Sequence, residues 1–200
     1  MAKKNDQTIK TYRENFSKYE ERSPSEVTGG FKKWIDSFIA QLPDNAEILE
    51  MGSATGRDAR YIQSKGVKVL CTDIISEALE KLSKEGFETG FFDFRDKPPA
   101  EWKGRFDGLY ANAVFVHATE EEFKELLSHI STIVKRSGVV AFSLMLGEGE
   151  KISLEKLDAP RYYKYYTKKQ IKEILSAFHY EVISMESGDD KWLCLILRNL

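Results

Sequence analysis

Short β-rich runs and helical patterns take turns along this chain, and that alternation limits the fold more than any other feature. Extended runs are predicted at Glu47–Met51, Val67–Thr72, Phe87–Phe92, Phe106–Val114, Gly138–Leu146, Tyr180–Ser187 and Trp192–Arg198. Between the early runs, apolar residues recur three and four positions apart, the period of a helix face. Ser76 is placed to cap a helix bearing Ala78, Leu79 and Leu82, with Gly86 as its stop. Thr119 with Glu122, and Thr167 with Gln170, have capping-box spacing ahead of apolar stripes that start at Phe123 and Ile171. Such alternation implies an α/β fold, a parallel sheet covered by helices on both faces.

The last two runs break the rhythm. Only Gly188, Asp189, Asp190 and Lys191 separate them, too few for a crossover helix, so they form an antiparallel hairpin on a parallel sheet. The expected sheet therefore has seven strands, mostly parallel, with an antiparallel C-terminal strand. Upstream, residues 5–41 pattern as two helices, with Tyr12, Phe16 and Tyr19 on one face and Phe31, Trp34, Ile35 and Phe38 on the next. No repeat or low-complexity linker divides the chain. One domain over residues 1–200 is expected, a helical cap at 1–41 and a core at 46–200.

Composition narrows the partners. No segment approaches the roughly 18 consecutive apolar residues of a membrane span. The polar N-terminus lacks an apolar signal region, which points to a cytoplasmic protein. Cys71 and Cys194 sit in apolar runs far apart and read as reduced, buried strand residues. Lysine and arginine number 30 against 32 acidic residues, a balance that weighs against a dedicated nucleic-acid binder.

The most informative stretch is Ile48-Leu49-Glu50-Met51-Gly52-Ser53-Ala54-Thr55-Gly56-Arg57-Asp58-Ala59. Here a strand runs through a small-residue loop into a helix. The first glycine permits a tight turn, and the helix N-terminus offers free N–H groups to a polar ligand. Asp73 follows Gly56 by seventeen positions, at the end of the second strand, where an acid can accept from two ribose hydroxyls. The bland alternative is that the glycines shape a turn and Asp73 caps the next helix. Loop and acid at the carboxyl ends of adjacent parallel strands favour a nucleoside site instead. A dinucleotide fingerprint would read G-x-G-x-x-G, whereas this loop carries Ala54 where a middle glycine might stand. Glu50 also suits a cationic ligand, with an amino group and a sulfonium, better than a pyrophosphate.

At this point the residues resemble the class I S-adenosylmethionine-dependent methyltransferases, and the likeness covers nearly the whole chain. ILEMGSATGRDARYI looks like the first motif of that family, VKVLCTDIISEALEKL the second, GFFDFRD the third, FDGLYANAVFVHAT the fourth and GVVAFSLMLGEGE the fifth-strand segment. More narrowly, GRDARY, NAVFVHA, GEGE, RYYKYYT and WLCLILR are similar to a small bacterial subgroup of methyltransferase-domain proteins. The resemblance implies a Rossmann-like three-layer sandwich with S-adenosyl-L-methionine as cofactor. Carried over residue by residue, it implies cofactor contacts from Glu50, Gly52, Ser53, Gly56 and Asp58, then from Asp73 and Ile74. Asp93 would contact the adenine amino group, Phe92 or Phe94 would flank the ring, and Ala111 would complete the wall. Ala54 departs from the family's glycine, and its Cβ would crowd the methionine moiety.

Methyl transfer from a sulfonium is an in-line displacement in which the cofactor supplies the reactive carbon, so no fixed triad is expected. His117, just past the fourth strand with Asn112 in the same strand end, is the candidate catalytic base, since an imidazole straddles neutrality. The alternative is a histidine that caps the turn before Thr119. Asn112 opens no N-P-P-Y motif, which weighs against amide or nucleobase methylation. Arg161-Tyr162-Tyr163-Lys164-Tyr165-Tyr166 falls where this fold builds its acceptor lid. Arg161, Tyr162, Tyr165 and Tyr19 are the candidate substrate contacts, suited to an anionic or aromatic small molecule. One residue of each adjacent pair there should pack inward. Tyr12, Tyr19 and Arg22 are candidates for a cap over the pocket, with core packing the favoured role for Tyr12. Glu148 and Glu150 lack a third ligand, so no metal site is expected. The expected function is methyl transfer to a small-molecule acceptor; a non-catalytic cofactor-binding module and a nucleic-acid methyltransferase are the alternatives. No exposed heptad prescribes an oligomer.

Overall fold

The computed structural model describes residues 5–189 and 191–200. Three helices lead the chain: α1 (Asp6–Glu14), α2 (Phe16–Glu21) and α3 (Gly29–Ile39). The predicted first helix is broken at Asn15, whose backbone leaves helical geometry at φ −128° and ψ 25°. Strands and helices then alternate: β1 (Glu47–Met51), α4 (Arg57–Gln63), β2 (Lys68–Asp73), α5 (Ser76–Lys84), β3 (Glu88–Phe91) and β4 (Phe106–Ala111). After them come α6 (Glu120–Ile133), β5 (Val134–Leu146), β6 (Glu150–Ser153), β7 (Arg161–Tyr166), α7 (Lys168–Leu175), β8 (Tyr180–Asp189) and β9 (Trp192–Asn199).

The parallel strands lie in the order β3-β2-β1-β4-β5, which puts the carboxyl ends of β1, β2 and β4 side by side. β9 runs antiparallel to β5 from Val139↔Arg198 to Met145↔Trp192, and β8 pairs antiparallel with β9. The predicted hairpin is there; Asp190 of its connection lies outside the described residues, as do residues 1–4 of the cap. Among the described residues the sheet has nine strands, two more than expected. Arg161–Tyr166 is itself a strand, paired with β6 from Arg161 to Lys164 and with Met145 and Leu146 of β5 through Tyr165 and Tyr166. A polar, aromatic segment hides its strand character, although Arg161, Tyr162 and Tyr166 are buried and none of its residues is exposed. Tyr166 is wholly buried in the core, as the alternation requires.

Helices cover both faces. Trp34, Ile35 and Phe38 of α3 and Ala59 and Ile62 of α4 pack on one face, against Ile48, Val69 and Tyr110. Phe123, Leu126, Leu127 and Ile130 of α6 and Ile171 and Leu175 of α7 pack on the other, against Leu49, Leu109 and Phe142. Each such side chain contributes roughly 1.5–3 kcal/mol through its burial. The two capping boxes, Thr119 with Glu122 and Thr167 with Gln170, form as their spacing predicts. Ser76 does not cap α5: the cap position is Ile75, and Gly86 ends the helix in left-handed geometry at φ 92°.

Candidate active site

The loop after β1 places three left-handed residues in five positions: Gly52 at φ 72°, Ala54 at φ 47° and Gly56 at φ 75°. The amides of Gly52 and Ser53 both donate to the Thr72 carbonyl, at 2.8 and 3.0 Å, which clips the loop to β2. A Cβ on Gly52 would lie 2.4 Å from Val114 Cγ2, and one on Gly56 would lie 2.2 Å from Leu82 Cδ2. Both positions favour glycine by φ, and a Cβ at either would force the neighbouring side chain to shift. Ala54 bears the left-handed strain with its Cβ in place, a cost of about 1 kcal/mol. Its N–H donates to Asp73 Oδ2 at 2.8 Å, while Asp73 Oδ1 accepts from Ile75 N–H at 2.9 Å. One carboxylate thus ties the glycine loop to the start of α5. Burial pushes the Asp73 carboxyl above its ordinary value, against the pull of those amide bonds.

Above this loop lies a pocket whose floor is Met51, Gly52 and Ala54. One wall comes from Asp73, Ile74 and Ile75 with Phe92, Asp93 and Phe94, and the other from Asn112, Ala113, Val114 and His117. Its roof is one face of α1 and α2, with Thr8, Tyr12, Phe16 and Tyr19. Of the residues expected around a cofactor, Gly52, Asp73, Ile74, Asp93 and Phe94 line this pocket. Glu50, Ser53, Gly56, Asp58 and Ala111 lie behind its wall. Strand alternation explains two of these: Met51 faces the pocket, so its neighbour Glu50 faces the other way, and Asn112 and Ala111 divide likewise.

Glu50 and Asp58 form a buried acidic pair beneath the loop. Both oxygens of Asp58 are engaged: it accepts from Arg57 Nε at 2.6 Å and from Tyr110 Oη and Asn112 Nδ2 at 2.9 Å each. Glu50 Oε2 has no hydrogen-bond partner. Burial first, and the Asp58 charge second, push its carboxyl up to about 8. A cationic ligand over this loop would offset that repulsion, so the site fits an ammonium-bearing sulfonium better than a pyrophosphate.

Asn112 lines the pocket with both ends of its amide engaged: Nδ2 donates to Asp58 and Oδ1 accepts from Ser143 Oγ at 2.8 Å. Asp93 grips Arg95, which reaches on to Asn5 Oδ1 at 3.0 Å and Asp6 Oδ1 at 2.7 Å and so pins the roof to the third strand's end. Asp93 therefore anchors the roof as well as lining the wall.

His117 stands at the pocket wall, buried, with both ring nitrogens engaged. Nδ1 is 2.6 Å from the Tyr162 carbonyl, which only an N–H can satisfy, so Nε2 accepts from the Tyr12 hydroxyl at 3.0 Å. Arg161 Nη1 donates to the same hydroxyl at 3.0 Å. Tyr12 is half-buried in the roof, hydrogen-bonded at the pocket and more than a packing residue. Tyr163, absent from the expected contacts, packs its ring 4.8 Å from the imidazole. Tyr162 turns away, its hydroxyl donating to Glu150 at 2.8 Å, and Tyr165 packs beside Gly147; neither lines the pocket. Tyr19 lines it, and Arg161 lies behind Tyr12.

Burial pushes the His117 imidazole down to about 4, well below the range of a base poised at neutrality. The unfolded chain takes up this proton below pH 6.5 and the folded protein only near 4, so stability is lost as pH falls through that window. The loss attributable to His117 amounts to about 3 kcal/mol. Thermal melts at pH 7 and pH 4.5 should show a smaller acid-side drop for His117→Gln than for the parent; equal drops would overturn the assignment.

Comparison with known proteins fits this geometry. A family model described as a methyltransferase domain matches residues 20–185. An uncharacterized methyltransferase of Schizosaccharomyces pombe is 32% identical over 99 residues, which span 46% of this chain and 67% of that protein. Among solved structures, the 1,6-didemethyltoxoflavin-N1-methyltransferase of Burkholderia thailandensis, with its substrate and S-adenosylhomocysteine bound, superposes with a TM-score of 0.74 at 18% identity. The match covers 99% of this chain and 91% of that one. A Rhodobacter sphaeroides protein described as a putative zinc-dependent alcohol dehydrogenase reaches 0.76 at 13% identity, over 98% of each chain. At such identities the superpositions speak for the fold alone.

Proposed function

This chain belongs to the methyltransferase-domain family of class I S-adenosylmethionine-dependent enzymes, and from that membership we propose that it methylates a small-molecule acceptor beneath the α1–α2 roof. The observation that carries the reading is the pocket itself. Asp73, Asp93 and Phe94 stand on one wall, His117 on the other, and Tyr12 and Tyr19 overhead. Helices pinned across the mouth by Arg95 favour an acceptor small enough to be enclosed over a duplex. The toxoflavin enzyme, a structural neighbour with a small heterocycle bound, is consistent with that choice.

When bound, S-adenosylmethionine supplies the electrophilic methyl group. Asp73 is the residue to hold the ribose, Phe92 and Phe94 the adenine, and Glu50 the charge balance beneath the loop. The protein's contribution to transfer is alignment, for which orientation can supply several kcal/mol. Tyr12 is the group placed to align the acceptor. Its O–H donates to His117 Nε2 and its oxygen accepts from Arg161, so the hydroxyl is fixed in direction at the pocket. His117, neutral and turned by the Tyr162 carbonyl, acts through Tyr12 and is a positioning residue.

The test has two stages. Calorimetric titration with S-adenosylhomocysteine should give 1:1 binding. Incubation with S-adenosylmethionine and a panel of small carboxylates, phosphonates, phenols and nitrogen heterocycles should then release S-adenosylhomocysteine with at least one of them. Binding without release on any member would favour a cofactor-binding module; release only with a nucleic acid would replace the small acceptor.

A further inference from the structure

Behind Tyr12 and Tyr19 the protein holds more positive charge than it neutralises. Arg161 is 4% exposed, yet no carboxylate among the described residues lies within ion-pair distance of it. Its Nη1 donates to the Tyr12 hydroxyl and its Nη2 to the Glu155 carbonyl, both neutral, and its Nε–H has no acceptor. The guanidinium lies 5.6 Å from the centre of the Tyr12 ring and 5.2 Å from that of Tyr163.

Lys156 repeats the pattern. Its Nζ stands 3.8 Å from the centre of the Tyr19 ring and donates to Ser23 Oγ at 2.9 Å, again without a carboxylate. Burial, then Arg161, then Arg57 push its ammonium down to about 8. The nearby acids are committed elsewhere: Asp158 to Lys18 and Arg22, Asp58 to Arg57. The backbone that presents Lys156 is strained, with Lys156 at φ 68° and Asp158 at φ 56°. A buried guanidinium and a half-buried ammonium without counter-charge are expensive for folding, and a bound anion offsets that cost.

We infer that Arg161 and Lys156 form the seat of an anionic group on the methyl acceptor, a carboxylate or phosphate flanked by Tyr12, Tyr19 and Tyr163. The inference rests on the methyltransferase reading and narrows its acceptor to a small acid. Arg161 shares the Tyr12 hydroxyl with His117, which puts the seat next to the aligning group. Guanidinium with ammonium suits such an oxyanion, one as a fork and the other as a point charge. The cofactor's own carboxylate is the other source of the same chemistry, and the experiment separates the two.

Protein saturated with S-adenosylhomocysteine is titrated with inorganic phosphate by calorimetry, against chloride at equal ionic strength. Phosphate is expected to bind that complex. Lys156→Met should weaken phosphate fivefold or more while changing S-adenosylhomocysteine affinity less than twofold, and Lys156→Arg should restore it. Phosphate that fails to bind the complex overturns the seat. Phosphate that competes with S-adenosylhomocysteine, or a Lys156→Met variant that loses S-adenosylhomocysteine instead, reassigns the cations to the cofactor and overturns it equally. If S-adenosylhomocysteine fails to bind the parent, the methyltransferase reading falls, and phosphate titration of the protein alone still decides whether the cations hold an anion.

Discussion

Asp73→Ala is expected to weaken S-adenosylhomocysteine binding a hundredfold or more while the sheet stays folded. Two effects converge on that carboxylate. It stands in the pocket wall, where it can accept from both ribose hydroxyls, and charge-assisted bonds of that kind contribute about 1.5–3 kcal/mol each. Loss of both therefore corresponds to roughly a hundredfold or more in affinity. Its removal also strands the amides of Ala54 and Ile75, which shape the loop beneath the ligand. Asp73→Asn separates the two effects, since its single carbonyl oxygen can still serve one of those amides. The asparagine variant should melt closer to the parent than the alanine variant does, yet bind nearly as poorly. Calorimetry with thermal melts reads both quantities. Parental affinity in Asp73→Ala would remove the ribose assignment.

What the sequence disclosed about this site follows from which interactions are local. The glycine loop, Asp73 and both capping boxes are set by residues a few positions apart, or by a strand end whose direction the alternation fixes, and they appear where expected. The turn at Asn112, two residues before the end of the predicted fourth strand, was not legible, because Ala113 adopts φ 58° with its amide held by Ser143 Oγ on the next strand. Nor was the engagement of Asn112 by Asp58 legible, a contact between residues 54 positions apart. The stripe Tyr12, Phe16 and Tyr19 was visible as a helix face, but nothing local says whether such a face meets a core or a pocket. Arg95, clamped between Asp93 and Asp6, decides that question through a long-range tether. The β6–β7 pair was missed because Arg161–Tyr166 joins the main sheet through only two residues.

Tyr12→Phe carries the second large effect. With whichever acceptor supports turnover, its kcat should fall between about tenfold and a hundredfold, the worth of one directed hydrogen bond to a reacting group. S-adenosylhomocysteine affinity should change less than threefold, because the ring stays in the roof. His117→Gln should produce a similar fall, since it removes the acceptor that turns the Tyr12 hydroxyl. The double variant then distinguishes alignment from mere packing: two residues that act through one hydroxyl cost no more together than singly, whereas independent packing defects add. The pH profile gives a further check. An imidazole held near 4 contributes no acid limb around 6.5, so kcat/KM from pH 5.5 to 8 should lack one in the parent and in His117→Gln alike. A limb near 6.5 that vanishes in His117→Gln would restore the imidazole as a general base and displace Tyr12 from its aligning role.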